Sequence, residues 1–255
     1  MTIKNRPEFE KFISRVAKSS DEFRASSTEK RHSKQYRTAR ENLNYLIDED
    51  TFLEFGQFAV AAQRSRRDYE ELQDKTNADG IITGFCSINS ALVGEDDAKA
   101  VAIVYDYSVL AGTQGFFHHA KLDRICEQAK KFYLPVIIFT EGGGGRPGDT
   151  DVLTQIAGLH IPSFSSWAQL TGICLKIAVN NGYCFAGNAV LFGCADFKIA
   201  TKDSWIGMAG PAMIEGGGLG TFKPKEIGPI EVQQKNGVVD YVAENEEEAT
   251  IIAKQ

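Results

Sequence analysis

The chain has 255 residues, which is long enough for one sizeable hydrophobic core or for two small domains. Its hydrophobic fraction of 43% and charged fraction of 24% are those of an ordinary soluble globular protein. The formal net charge of −6 gives no indication of a general affinity for nucleic acid.

The cysteines, the histidines and the hydropathy of the sequence indicate which classes of protein it does not belong to. The five cysteines are scattered without a C-x-x-C pair and only four histidines are present, so we expect no metal site. The stretch MTIKNRPEFE lacks the apolar run of a signal peptide, and no later run is long and apolar enough to span a bilayer. We therefore expect a cytoplasmic protein that acts neither in a membrane nor on nucleic acid.

Residues 1–75 are polar and charge-dense, with apolar residues such as Phe9, Phe12 and Ile13 at helical spacing. This region is predicted to be a helical N-terminal extension. Its segment EKRHSKQYRTAR, residues 29–40, is rich in basic residues. Such a run favours a solvated helical face, and it leaves open a cationic patch for an anionic ligand such as a nucleotide phosphate.

After Thr76, strand and helix patterns alternate, which predicts an α/β fold with crossover connections over residues 76–255. Strands are predicted over residues 79–88, 100–109, 135–140 and 174–182. Helices are predicted over residues 118–132, with Leu122, Ile125 and Ala129 on one face, and from residue 244 onward. Residues 151–160 and 165–173 are predicted to be helix or helix-loop, and residues 185–201 to be a helix followed by a strand.

Three glycine-rich stretches each follow or adjoin a predicted strand or helix start, at residues 111–115, 142–145 and 216–220. Glycine lets a ligand approach the backbone closely and leaves N–H groups free to donate. Such a turn suits a phosphate, and it suits equally an oxyanion that exists only during a reaction.

Motif spacing speaks against phosphate loops and serine nucleophiles. A Walker-type loop requires a Lys-Ser/Thr pair after the last glycine, whereas Gly145 is followed by Arg146 and Pro147. Gly143, Gly145 and Gly148 match the dinucleotide pattern, but Pro147 interrupts it, and such a match is weak. No G-x-S-x-G occurs. The remaining hypothesis is a set of main-chain amides that stabilises an oxyanion.

From about Tyr36 to its end, the chain resembles the N-terminal half of the carboxyltransferase component of biotin-dependent acyl-CoA carboxylases, in the crotonase superfamily. Its most telling segments are GGGGRPGD and GMAGPAMIEGGG. The other matching segments, in the same order, are RTARENLNYLIDEDTFLEFG, NADGIITGF, DYSVLAGTQGFFHHAKLDRI, NGYCFAGNAVLFGCADFKIAT and IGPIEVQQKNGVVDYV. The resemblance implies a crotonase-like (ClpP/crotonase-like) ββα superhelix behind the helical N-terminal region.

The resemblance also implies roles for the glycines. In this family, an acyl-CoA enolate captures carbon dioxide that carboxybiotin releases. By position, Gly143 and Gly144 resemble the oxyanion pair for the thioester, and Gly112 is a candidate second donor. Ala111 and Thr113 flank Gly112 in the turn expected to bind the substrate. The decarboxylating biotin would act as the base, so that no protein nucleophile is required.

The phosphates of CoA require cations, and Arg37, Arg40 and Lys121 are the candidates. The alternative for the two arginines is an ion pair with a nearby acid such as Glu41 or Asp48.

Arg146 is expected to hold the glycine loop by pairing with Asp149 or Asp151. The resemblance implies that Gly210 and Pro211 help to line the acyl-CoA pocket, although ordinary turn chemistry explains them nearly as well.

Members of this family carry two crotonase-like domains, with acyl-CoA mainly on the first and biotin mainly on the second. This sequence ends at Gln255, where the second domain would begin. We therefore expect an acyl-CoA-binding half that works with a C-terminal carboxyltransferase domain, with biotin carried on a partner. The expected partners are biotin carboxylase and biotin carboxyl carrier components and further copies of the chain in a homo-oligomer.

Two other functions stay open. A free-standing crotonase-type hydratase, isomerase or hydrolase would need a carboxylate base, for which Glu141 and Glu215 are the candidates, although holding the turn is the favoured role of Glu141. A non-catalytic assembly module is the third hypothesis. His118 and His119 are expected to be structural or substrate-lining rather than metal ligands.

Overall fold

The structure, a computed structural model, describes residues 6–152 and 161–255. Its first elements are α1 (Pro7–Ala17), α2 (Ala25–His32), α3 (Ala39–Leu46), β1 (Leu53–Phe55), α4 (Tyr69–Lys75), β2 (Ile81–Ser87), α5 (Ser90–Val93) and β3 (Lys99–Tyr105). The elements that follow are α6 (Phe116–Phe132), β4 (Val136–Phe139), α7 (Ser163–Ala168), β5 (Lys176–Phe185), α8 (Gly187–Gly193), β6 (Phe197–Gly207), α9 (Pro211–Gly216), α10 (Ile230–Lys235), β7 (Tyr241–Ala243) and α11 (Glu246–Lys254). None of the helices in these two ranges has the length and apolar character that crossing a bilayer requires.

The strands form one mixed sheet in which spatial order follows chain order, from β1 to β7. Strands β1, β2 and β3 pair antiparallel, and each strand from β3 to β7 pairs parallel with the next. Strand β4, of sequence VIIF, is buried along its whole length, as expected for a parallel strand with both faces covered. The predicted α/β fold is confirmed.

Helices cover both faces of the sheet. Side chains alternate along β3 and β4, so that Ile103 and Ile138 join one apolar cluster while Val104 and Ile137 join the other. The first cluster also contains the predicted face of α6 and residues of α7, α8 and α10, and the second contains residues of α3 and α11.

The N-terminal region contributes to this same core. Helix α3 begins with a capping box in which Thr38 and Glu41 bond reciprocally, and it buries Leu43 and Leu46 against the sheet. Strand β1, which the sequence analysis does not anticipate, pairs with β2. The division into domains at residue 75 stays a prediction, and residues on both sides of it contribute to one core.

Element boundaries differ from the predictions mainly at strand ends. The strand predicted over residues 100–109 ends at Tyr105, because the carboxylate of Asp106 accepts the Ser108 N–H and starts a turn. The helix or helix-loop predicted over residues 151–160 lies, from residue 153 onward, outside the described residues. The predicted C-terminal helix is confirmed as α11, and Asn245 caps it by accepting the Glu248 N–H.

The carboxyl ends of β3, β4 and β5 lie side by side, and all three are followed by turns that contain glycine. The segment after β4 runs on beside β5, since the Gly142 N–H donates to Tyr183 O at 2.7 Å. Ligands of α/β sheets commonly bind beyond such strand ends. The carboxyl ends of β3, β4 and β5 are therefore the expected place of a ligand-binding site.

Candidate functional site

The structure brings the first two glycine clusters together. The Gly143 N–H donates to Ala111 O at 3.1 Å, and the Gln114 N–H donates to Gly144 O at 2.8 Å. The third cluster, residues 216–220, is exposed where α9 ends. Two of the three clusters thus form one feature, a pair of hydrogen-bonded turns at the strand ends.

The amides predicted to form the oxyanion hole are already engaged. Besides the bond from Gly143, the Gly144 N–H donates to Asn188 Oδ1 at 2.9 Å, and the Gly112 N–H donates to Val109 O at 3.0 Å. An N–H that already has an acceptor in the fold must share or leave it to bind a thioester oxygen. The role of Gly112, Gly143 and Gly144 as oxyanion donors therefore stays a prediction, and none of these three amides is free in this structure.

Glycine is nonetheless required at two of these positions. Gly112 and Gly144 have φ of +62° and +87°, in the region that favours glycine. A Cβ on Gly112 would collide with the carbonyl of Glu141, and one on Gly144 would lie 2.7 Å from the Cβ of Ala186. The path of the turns therefore requires glycine at these two positions.

Two other amides at the same place are free. The N–H groups of Gly145 and Gly187 have no hydrogen-bond acceptor within residues 6–152 and 161–255. A Cβ built on Gly144 would lie 3.6 Å from the Gly187 nitrogen, so the glycine turn packs directly against the start of α8. Gly145 faces open space, since a Cβ added there meets no described atom within 4 Å.

Sequence reasoning missed this pair. Gly187 lies in FAGNAV, inside a segment quoted for the resemblance, and Gly145 is the last of the four consecutive glycines. Only the acceptors in the folded chain distinguish a free amide from an engaged one, so glycine spacing alone could not select them.

A cleft of about 430 Å³ opens beside the Ala111 turn. Ala111 lines it, as predicted, together with Lys30 and Lys34 from the segment around α2. Three tyrosines, Tyr36, Tyr107 and Tyr183, form much of the remaining wall.

Lys30 and Lys34 give this cleft its positive charge. Both lysines are exposed, and within the described ranges neither takes part in an ion pair. Ammonium groups beside aromatic faces suit a ligand that combines phosphates with a planar base. The cationic patch in residues 29–40, the less favoured interpretation of the sequence, thus lies beside a cleft, and its binding of an anionic ligand stays a prediction.

The two arginines predicted to bind phosphate point elsewhere. The Arg40 guanidinium pairs in bidentate fashion with Glu54, at 2.7 and 3.0 Å. Arg37 stacks on the ring of Tyr45, 4.4 Å from its centroid, and contacts Glu247 at 3.4 Å. Both arginines thus form ion pairs, which was the alternative prediction. Their partners are Glu247 and Glu54 rather than Glu41 or Asp48.

Lys121 does not fit the role of a phosphate ligand either. Its side chain is buried, and its Nζ donates to the carbonyls of Ala78, at 2.9 Å, and of Ile81. Burial lowers the pKa of Lys121 to about 8. The amine therefore ties α6 to the backbone at the start of β2, and Lys121 does not line the cleft.

The remaining predicted substrate contacts are divided. The Thr113 hydroxyl donates to Leu110 O at 2.6 Å, and its methyl group would lie 3.1 Å from a Cβ on Gly143, so Thr113 packs on the glycine turn. Gly210 lies beside the Phe185 ring, and Pro211 begins α9. Neither Gly210 nor Pro211 lines the cleft.

Arg146 holds the loop, as expected. Its buried guanidinium pairs with Asp79, and its Nε lies 2.9 Å from Asp149 Oδ1. Asp151, the other candidate partner, instead accepts the backbone N–H groups of Arg64 and Ser65.

The two histidines are packed beneath this loop. His118 is fully buried with Nδ1 3.1 Å from Asp79 O, and His119 Nδ1 lies 2.9 Å from Ser163 Oγ. Burial lowers the pKa of His118 well below its usual value and that of His119 to about 4, so both rings are neutral at pH 7.

Glu141, the candidate general base, is bound on both oxygens. Arg31 donates to Oε1 at 3.0 Å and to Oε2 at 2.8 Å, and both side chains are largely buried. Burial raises the pKa of Glu141 above the usual range of a glutamate, and the guanidinium of Arg31 opposes that rise. The other candidate, Glu215, is exposed on α9.

Backbone amides at the strand ends and a cationic, aromatic cleft beside the Ala111 turn are features of an α/β protein that suit an anionic ligand. Across the two described ranges, no group of three or more His, Cys, Asp or Glu side chains could hold a metal ion.

Comparison with known proteins agrees with this class. A family model described as carboxyl transferase domain matches residues 30–255. The methylmalonyl-CoA carboxyltransferase 12S subunit of Propionibacterium freudenreichii subsp. shermanii is 30% identical over 230 residues, which are 89% of this chain and 41% of that protein. The chain belongs to the carboxyl transferase domain family.

Solved structures extend the likeness to the fold. A single-chain, multi-domain long-chain acyl-CoA carboxylase is 49% identical, with a TM-score of 0.93, over 98% of this chain and 25% of that one. The transcarboxylase 12S crystal structure is 27% identical, with a TM-score of 0.80, over all of this chain and 48% of the other. The crotonase-like fold is thereby confirmed, and the chain spans less than half the length of each of these proteins.

Proposed function

We propose that this chain is the acyl-CoA-binding half of the carboxyltransferase of a biotin-dependent acyl-CoA carboxylase. The observation that carries the proposal is the pair of free amides, Gly145 and Gly187, at the glycine turn beside the cleft. Family membership and the names of the relatives support this function.

In this proposal, the chain binds and orients the substrate. Lys30 and Lys34 contact CoA phosphates, and the tyrosines of the cleft pack on the nucleotide. The thioester oxygen accepts N–H bonds from Gly145 and Gly187, which become stronger as the enolate develops. Because one donor to a developing oxyanion is worth about 3 kcal/mol, two can supply a large share of the stabilisation without any side-chain nucleophile.

Biotin, which supplies the carboxyl group when carboxylated, is assigned to a partner domain. The two free amides can serve one oxyanion, the thioester oxygen, and the ureido oxygen needs donors of its own. We accordingly propose that a C-terminal carboxyltransferase domain holds biotin and that biotin carboxylase and carrier components load it. A cytoplasmic homo-oligomer stays part of the proposal.

The competing enzyme class finds less support. A hydratase or isomerase of this fold needs a carboxylate that can take a proton from the α-carbon. Both Glu141 oxygens are occupied by Arg31, which leaves the buried glutamate poorly placed for that role.

Exchanging Gly145 for proline tests the oxyanion assignment, because proline lacks the N–H, the space at the Cβ position is open, and Gly145 does not have the positive φ that proline cannot adopt. With the partner domain supplied, we expect Gly145→Pro to lower the kcat of carboxylation by about 10²-fold to 10³-fold. Gly145→Ala is the matched control: it keeps the N–H and should lose far less. Equal kcat in the two variants would refute the role of this amide.

A further inference from the structure

Helix α2 is attached to the body of the protein through charge. Arg31 is the only buried residue of this eight-residue helix. Just before the helix, Arg24 donates to Asp106 Oδ2 at 2.6 Å, beyond the end of β3. An apolar face would hold a helix firmly against small shifts, whereas here the position of α2 depends on the geometry of ion pairs.

The deeper of these pairs reaches the glycine turn itself. Glu141 directly precedes Gly142. Its carboxylate accepts hydrogen bonds from both terminal nitrogens of Arg31, a residue 110 positions away in the sequence. The Arg31 Nε donates to Arg37 O at 2.9 Å, and the rings of Tyr36 and Tyr107 lie 5.0 and 5.9 Å from its guanidinium carbon. The Nε and both terminal nitrogens of Arg31 are thus hydrogen-bonded, and together these bonds fix one orientation of the helix.

The sheet provides space for this pair. Strand β5 is irregular between Asn180 and Gly182, and Gly182 has a φ of +86°. A Cβ on Gly182 would lie 2.5 Å from Glu141 Oε1, so only glycine leaves the carboxylate its position. Three separate segments of the chain are therefore matched to one buried carboxylate.

We infer that Arg31 and Glu141 are positioning residues that set Lys30 and Lys34 at the phosphate end of the cleft and hold that end at a fixed distance from the glycine turn. This inference rests on the proposed binding of acyl-CoA. Lys30 lies on α2 next to Arg31, and Lys34 lies in the turn that directly follows the helix, so a tilt of α2 displaces both ammonium groups.

The test compares acetyl-CoA with acetyl-pantetheine, which keeps the thioester and lacks the nucleotide phosphates. In Glu141→Gln, which preserves shape and removes the charge, we expect the affinity of the full chain for acetyl-CoA to fall about tenfold, as loss of one charged hydrogen bond would predict. Affinity for acetyl-pantetheine should stay the same, and amide exchange in residues 25–32 should accelerate.

A double-mutant cycle distinguishes positioning from general destabilisation. In a Lys30→Ala/Lys34→Ala background, Glu141→Gln should weaken acetyl-CoA binding no further. Glu54→Gln is the matched control, because it breaks another bidentate pair, with Arg40, that does not line the cleft. It should lower the free energy of unfolding and leave the ratio of the two affinities unchanged.

The outcomes separate the two proposals. Unchanged acetyl-CoA affinity in Glu141→Gln, an equal loss for both ligands, or an additive effect in the cycle would overturn the positioning role while acyl-CoA binding stands. A wild-type chain that binds neither ligand would overturn the proposed function, and the positioning role with it.

Discussion

Consecutive glycines in the turn after β4 serve distinct purposes. The Gly143 N–H donates to Ala111 O and the Gly144 N–H donates to Asn188 Oδ1, and these two hydrogen bonds fix the path of the turn. Among the described residues, the Gly145 N–H has no acceptor, and a Cβ at this position would face open space. The stretch thus fixes the turn and leaves one amide available, and each residue's role depends on which acceptor the fold places near its nitrogen.

Titration of His119 gives a prediction at this scale. Because its pKa falls from about 6.5 to about 4 on folding, the unfolded chain binds more protons between these values. Its contribution to stability is therefore complete above pH 6.5 and is lost as the pH falls toward 4. Raised carboxyl pKa values, such as that of Asp79 at about 6, act in the opposite direction.

The comparison of wild type with His119→Asn isolates the histidine. Measured by urea unfolding, the difference in free energy of unfolding should favour wild type less at pH 4.5 than at pH 7.5, by up to about 3 kcal/mol. A difference that is the same at both pH values would show that His119 titrates normally in the folded state.

At the scale of elements, local pattern and long-range pairing differ in how well sequence predicts them. The buried face of α6 and the apolar strand β4 followed from residue spacing, since each buries its own periodic side chains. Partners such as Arg40 with Glu54 or Arg31 with Glu141 depend on how elements pack, and charge patterns in the sequence do not define them. This is why the acids that pair with Arg37 and Arg40 differ from those that the sequence suggested.

The lysines around α2 give the prediction for this scale. Lys30→Ala/Lys34→Ala should weaken acetyl-CoA binding by about tenfold per lysine, with most of that loss disappearing at high salt, because exposed charges are screened. Isothermal calorimetry at two salt concentrations measures it. The control is Lys11→Ala/Lys235→Ala, which removes the same charge at exposed positions away from the cleft. Equal affinities in the two double variants would rule out the lysines as phosphate ligands.

At the scale of the whole molecule, the sequence predicted the fold well. For the candidate site, it predicted the turns that form it but not the individual amides. The α/β class, the crotonase-like resemblance and the turns around Ala111 and the glycines were all found from residues in order along the chain. The donors proposed here, Gly145 and Gly187, were not, because they come close only when the turn after β4 meets the start of α8. We propose that this chain binds acyl-CoA and that a separate domain holds biotin. The chain matches 41% of the length of the 12S subunit.

The most direct test is a crystal structure of this chain with an intact acyl-CoA thioester bound. The account predicts the thioester oxygen within about 2.7–3.1 Å of both the Gly145 and Gly187 nitrogens, with the phosphates at Lys30 and Lys34. A thioester oxygen bound away from these two nitrogens, or hydrogen-bonded instead by Gly143 after its bond to Ala111 has broken, would contradict it.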